Sequence, residues 1–91
     1  MGIDTIATGK NIKRLRQEEG LTITDLQEAL GFETPYSIYR WQKGDTIPSV
    51  DNLVILSDIF DVAMDEIVVR REVKKCFLSN EYIDTLYRLD L

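Results

Sequence analysis

Isolated glycines at positions 2, 9, 20, 31 and 44, about 11 residues apart, set the scale of what this chain can fold into. A glycine just past an amphipathic stretch readily takes the left-handed conformation that ends a helix. The chain is therefore expected to be a string of short helices. Ile12 and Leu15 are three apart, with Lys10, Lys13, Arg14 and Gln17 off that stripe, which predicts a first helix over about 8–19, stopped by Gly20. Residues 1–7 lack periodicity and are expected to be a flexible N-terminal segment. Thr22-Ile23-Thr24-Asp25 has the form of a capping box with Asp in place of Glu. The second helix it starts turns Leu26, Ala29 and Leu30 inward and ends at Gly31. Thr34 as N-cap and Pro35 at the first helical position start a third helix over 34–43. Ile38 and Trp41 face inward there, and Gly44 ends it. Ser49 caps a fourth helix with Val50, Leu53, Leu56, Ile59 and Phe60 on its apolar face. After a break at Asp61-Val62-Ala63, Met64, Ile67 and Val68 mark a fifth helix over about 64–69, which the charged run 70–75 would extend. Ser79 heads a short sixth helix carrying Tyr82, Ile83, Leu86 and Leu89. No stretch alternates polar and apolar residues for long, so the expected class is all-α.

Composition then narrows function. Ninety-one residues make one small domain. The longest apolar runs, Leu53–Leu56 and Ile67–Val69, fall far short of the roughly 20 residues a membrane span needs. The amino terminus lacks an export signal, and the single Cys76 excludes an internal disulfide, which together favour a cytoplasmic location. The chain has no histidine. That removes Ser-His and Cys-His nucleophiles and most zinc sites, so neither an enzyme, a cofactor, a metal nor a small-molecule substrate is expected. The acidic pairs Asp58/Asp61 and Asp65/Glu66 lack a ligand-loop spacing and read as solvated helix ends. Cys76 has no activating base nearby in sequence and reads as a small apolar residue.

Net charge is −5, which by itself opposes non-specific nucleic-acid affinity. Its distribution is uneven. Residues 1–47 hold six bases and seven acids, and residues 48–91 five bases and nine acids. Residues 10–16 carry Lys10, Lys13, Arg14 and Arg16 without an acid. These can attract a phosphate backbone at long range or simply form a solvated helix face.

The helices at 22–30 and 34–43, joined by a tight turn, are the parts of a helix-turn-helix. Ala29, Leu30, Ile38 and Trp41 are expected to lock the pair, leaving the outer face of the second helix free to enter a groove about 12 Å wide. The segments GKNIKRLRQEEGLT (9–22), DLQEALGF (25–32), IYRWQKGDTIPSVDNLVILSDIFDV (38–62) and MDEI (64–67) carry the chain further. In this order they resemble the lambda-repressor/Cro-type (XRE) helix-turn-helix transcription factors, over about residues 8–69. The resemblance implies a five-helix DNA-binding bundle, to which residues 70–91 add the short extra helix. Two departures stand out. Ile23 occupies the place of a glutamine that commonly bonds a phosphate, and Phe32–Pro35 includes one residue more than the common turn.

Carried over residue by residue, the resemblance implies base contacts from Tyr36, Ser37 and Arg40, with Tyr39 beside them. It implies phosphate contacts from Lys43 and Thr46, and from the helix starts at Thr22, Thr24, Thr34 and Ser49. Lys10, Lys13 and Arg14 would assist. The expected partner is double-stranded DNA. The stripe Tyr82, Ile83, Leu86 and Leu89 in the extension 70–91 either packs on its own bundle or meets a second copy, and a homodimer is expected. The competing reading is a protein-interaction module, antitoxin-like or adaptor-like, with weak DNA affinity. The acidic balance, the missing glutamine and the C-terminal stripe favour it.

Overall fold

A computed structural model describes residues 2–71 of the chain; Cys76 and the predicted dimerisation stripe at Tyr82, Ile83, Leu86 and Leu89 lie outside that range. Five helices follow one another: α1 (Thr5–Glu18), α2 (Ile23–Leu30), α3 (Tyr36–Lys43), α4 (Val50–Phe60) and α5 (Met64–Ile67). The described residues are all-α except for one antiparallel bridge between Ile3 and Arg70.

Local sequence explains most of the boundaries. The first four helices end on one device, in which the amide of the residue after a turn reaches back five positions. The bonds run from Leu21 to Arg16, Phe32 to Gln27, Asp45 to Arg40 and Val62 to Ser57, at 3.0–3.1 Å. The turn needs a left-handed residue, supplied at the two helix-turn-helix ends by Gly31 (φ 74°) and Gly44 (φ 84°). Asp61 takes the same conformation (φ 54°) after α4, which is the physical content of the break expected there. At the starts, Thr22 and Asp25 form the reciprocal capping box, and the Ser49 hydroxyl accepts the Asn52 amide at 3.3 Å.

Several expectations need correction. The first helix begins at Thr5, not Thr8, because the Asp4 carboxylate accepts the Ala7 amide and caps it. Residues expected to fray are paired instead: the Asp4 amide donates to Val69 and the Arg71 amide to Gly2, both at 2.8 Å. The fifth helix stops at Ile67, and Val68–Arg71 run extended rather than continuing it. Thr8, almost wholly buried, accepts the Val69 amide, and Asn11 donates to the carbonyls of Glu66 and Ile67. These side chains capture backbone groups that a longer helix would have used internally. The third helix starts at Tyr36, with Pro35 in the cap position; the Thr34 hydroxyl still accepts the Tyr36 amide, at 3.4 Å. Ala29 is exposed, so it does not lock the motif. Leu26 and Leu30 fill the inward stripe of this two-turn helix by themselves. Val50, at the first position of α4, is 68% exposed, and Met64 is exposed as well.

One core serves all five helices: Ile12, Leu15, Leu26, Leu30, Ile38, Trp41, Leu53, Leu56, Phe60 and Ile67. Within it α1 lies along α3, α2 packs on α4, and α5 rests on α4 and α1. The α1–α3 crossing is the tightest point. A Cβ at Gly9 would drive into the Trp41 carbonyl oxygen and come within 2.9 Å of that of Gln42. Both are backbone atoms of α3 and cannot rotate away. At the same edge, Gly44 leaves room for the Ile6 backbone, whose Cα a side chain there would approach to 2.8 Å.

The crossing sets the sign of a simple test. In an ordinary helix interior, glycine to alanine stabilises by about 1 kcal/mol. Gly9→Ala is expected to destabilise this protein by about 1–3 kcal/mol, the range for overpacking a filled interior. The midpoint of urea unfolding measures it.

Candidate nucleic-acid interface

The outward side of the helix-turn-helix is built from the packing behind it. Ile38 is fully buried and Trp41 is 4% exposed, so the two point into the core. Phe32, in the connecting segment 31–35, meets the Trp41 ring edge-on, with centroids 5.7 Å apart and planes at 64°. Gln27 ties the same segment down by donating to the Phe32 carbonyl at 3.2 Å. With α3 clamped on that side, Tyr36 (65% exposed) and Tyr39 (49%) stand outward, while Ser37 and Arg40 are half-buried on its flanks. The Arg40 guanidinium carbon sits 5.6 Å from the centre of the Tyr36 ring, one helical turn away.

The helix starts, the last residue of α3 and the loop after it carry the remaining residues expected at the site. Thr22, Thr24, Thr34, Lys43 and Ser49 are exposed and Thr46 is half-buried. Three of the hydroxyls already accept a backbone N–H: Thr22 from Asp25, Thr34 from Tyr36 and Ser49 from Asn52. Thr34 and Ser49 retain their own hydrogens to donate to an anion, whereas the Thr22 hydroxyl also bonds the Asp25 carboxyl. Of the first backbone amides of α2 and α3, those of Asp25 and Tyr36 are taken by these hydroxyls, and the others have no acceptor inside the helix.

The charge around the face is mixed. Residues 22–49 hold Asp25, Glu28, Glu33 and Asp45 against Arg40 and Lys43. Asp25, Glu28 and Glu33 are exposed. Lys43 lies 3.8 Å from Asp45, an open pair that a competing phosphate can exchange with. Among the described residues Arg40 has no carboxylate partner. The Asp25 carboxyl titrates below its ordinary 3.8, because it accepts the Thr22 amide and, secondarily, the Thr22 hydroxyl bonds it.

The basic run of α1 does not join the face as a block. Gly9 faces α3, and Lys10 and Arg14 follow about a quarter to two-fifths of a turn around the helix. With Ala7, Asn11 and Val69 they line a shallow surface hollow of about 310 Å³. Arg14 is also paired with Glu18 at 2.8 Å. Lys13 is exposed, four residues from Gly9. Arg16, named only as part of the run, bridges instead to α3: its Nε donates to the Gln42 side chain at 3.1 Å and its Nη1 to the Leu21 carbonyl at 2.7 Å.

The helix-turn-helix family model matches residues 12–67, which takes in the core, both motif helices and α5. The chain belongs to the helix-turn-helix family of lambda-repressor/Cro (XRE) type. Two relatives, from Pyrococcus horikoshii and Pyrococcus furiosus, bear names as HTH-type transcriptional regulatory proteins that are themselves inferred. The first is 33% identical over 75 residues, covering 80% of this chain and 24% of the relative. The second is 29% identical over 93 residues, covering 91% and 29%. The chain thus spans about a quarter of the length of these relatives. Among solved structures, the restriction-modification controller protein C.AhdI of Aeromonas hydrophila superposes with a TM-score of 0.63 at 22% identity, covering 70% of this chain and 96% of that one. A transcriptional regulator of Listeria innocua gives 0.62 at 26% identity, covering 90% and 87%. The DNA-binding domain of BldD gives 0.60 at 20% identity, covering 71% and 93%. No helix among the described residues is long and apolar enough to cross a membrane.

The depressed Asp25 titration has a sign that can be checked. Its contribution to stability is fully present above the ordinary carboxyl value and is lost as pH falls through the lower folded-state value. A carbon-detected NMR titration should place Asp25 below 3.8, and Thr22→Val should move it up toward that value.

Proposed function

We propose that this domain binds double-stranded DNA sequence-specifically, with α3 in the major groove, and regulates transcription by occupying its site. The observation that carries the reading is the outward face of α3. Tyr36 and Tyr39 stand exposed, with Ser37 and Arg40 half-buried on their flanks, over a core that Ile38 and Trp41 fill from the other side. Family membership and the DNA-binding character of the BldD neighbour support it. Arg40 would read guanine through O6 and N7, a contact worth about 1–3 kcal/mol of discrimination. Ser37 and Tyr39 would touch neighbouring bases, and Tyr36 would stand beside Arg40 at the same contact. Thr22, Thr24, Thr34, Lys43, Thr46 and Ser49 would hold phosphates at the helix starts and in the loop after α3. Lys13 would add attraction from α1, with Lys10 and Arg14 more distant.

Occupancy that overlaps a promoter excludes polymerase, so repression in the cytoplasm is the simplest output. A homodimer would place two such helices on two half-sites about 34 Å apart and multiply a modest single-domain affinity. The exposed acids Asp25, Glu28 and Glu33 favour one competing reading, a protein partner docking on the same face.

A salt series on duplex DNA separates the two. Groove binding predicts that log affinity falls linearly with log salt. Lys43→Ala should weaken all duplexes alike and shallow the slope by about one contact, whereas Arg40→Ala should cost about 1–3 kcal/mol chiefly on the preferred sequence. Absence of duplex binding at low salt would favour the protein partner.

A further inference from the structure

We infer that Tyr36 is a positioning residue for Arg40, and that the two read DNA as one preorganised unit rather than as independent contacts. The inference deepens the groove-binding reading above and rests on it. The guanidinium carbon lies 5.6 Å from the Tyr36 ring centre, within the range where a cation is drawn to the negative face of an aromatic ring. The i,i+4 spacing on α3 keeps the pair stacked along one side of the helix. Both side chains rise from held backbone. Tyr36 is anchored at its backbone, where the Thr34 hydroxyl accepts its amide. Arg40 follows from a helix held by Ile38 and Trp41 on its buried side.

What is absent around Arg40 matters equally. Among the described residues no carboxylate pairs with it and no hydrogen bond engages its nitrogens, whereas Arg14, Arg16 and Lys43 each have a partner. An unpaired arginine samples many rotamers and loses that freedom on contact with a base. A ring under the guanidinium removes part of this cost in advance without consuming any of its five N–H donors. The donors therefore remain available for the bidentate contact to guanine. A salt bridge would hold the side chain as well but would occupy the same donors.

The test is selection of preferred sites from a randomised duplex library, followed by affinity measurements on the selected site and on one with its guanine replaced. Wild type is expected to show a guanine preference that Arg40→Ala abolishes. Tyr36→Phe and Tyr36→Trp keep an aromatic face and should retain it. Tyr36→Leu keeps bulk without that face and should lower the preference about two- to five-fold. In the Arg40→Ala background, Tyr36→Leu should change affinity at that position no further. In the free protein, the Arg40 side-chain protons should resonate upfield under the Tyr36 ring and return to ordinary shifts in Tyr36→Leu. Equal guanine preference in Tyr36→Leu and wild type, or additive effects of the two substitutions, would overturn the pairing while leaving groove binding intact. A wild-type chain that selects no duplex would overturn both.

Discussion

The close crossing of α1 over α3 at Gly9 is the contact on which the rest depends. A helix can present a reading face only if its other side is held at a fixed height and angle. Here the holding is backbone on backbone: α1 comes close enough to the Trp41 and Gln42 carbonyls that only a residue without a Cβ fits between them. Ile38 and Trp41 then fill the core beneath, and Phe32 braces Trp41 edge-on from the turn. Rotation of α3 by even a fraction of a turn would bury Tyr36 or expose Trp41. The exposed face of the motif is thus a consequence of packing on the opposite side.

The second constraint closes the domain. Extended residues after α5 run beside residues 2–4, joined by the Asp4 and Arg71 amides, with Thr8 and Asn11 holding them from α1. Val69 lies beside α1, where it lines the hollow shared with Lys10, Asn11 and Arg14. Polar side chains at these positions matter because backbone groups that lose water need partners. Thr8 and Asn11 satisfy groups that α5, only four residues long, leaves open.

Much of this was legible in the sequence, and the reasons are local. Glycine stops, the Thr22–Asp25 box and the Ser49 cap act through atoms a few residues apart, so their spacing alone reveals them. Ile38 and Trp41 were readable because their i,i+3 spacing on a short helix admits one inward face. The failures are long-range. Gly9 looks like another punctuation mark until α3 is placed against it. Asp4 and the pairing of residues 2–4 depend on Val69 and Arg71, more than sixty residues away. Ala29 fails because α2 packs on α4 through Leu26 and Leu30, leaving no neighbour to cover it. In the candidate interface, residue types on α3 were visible from spacing and family resemblance together. The split of the α1 cations onto a different side, and the stacking of Arg40 on Tyr36, required the fold.

Charge shapes how such a face would work. With exposed acids at 25, 28 and 33 and a total of −5, the protein has little general attraction for phosphate. Affinity must then come from local fit, and binding should be selective rather than merely electrostatic. The most direct measurement is amide chemical-shift mapping as a selected duplex is titrated into the labelled protein. Shifts concentrated at residues 22–25, 34–40 and 44–50, with α5 and the Val69 edge unmoved, are expected. Shifts centred on the Lys10–Asn11–Arg14 side, with the amides of Tyr36 to Arg40 unchanged, would contradict the assignment of α3 as the reading helix.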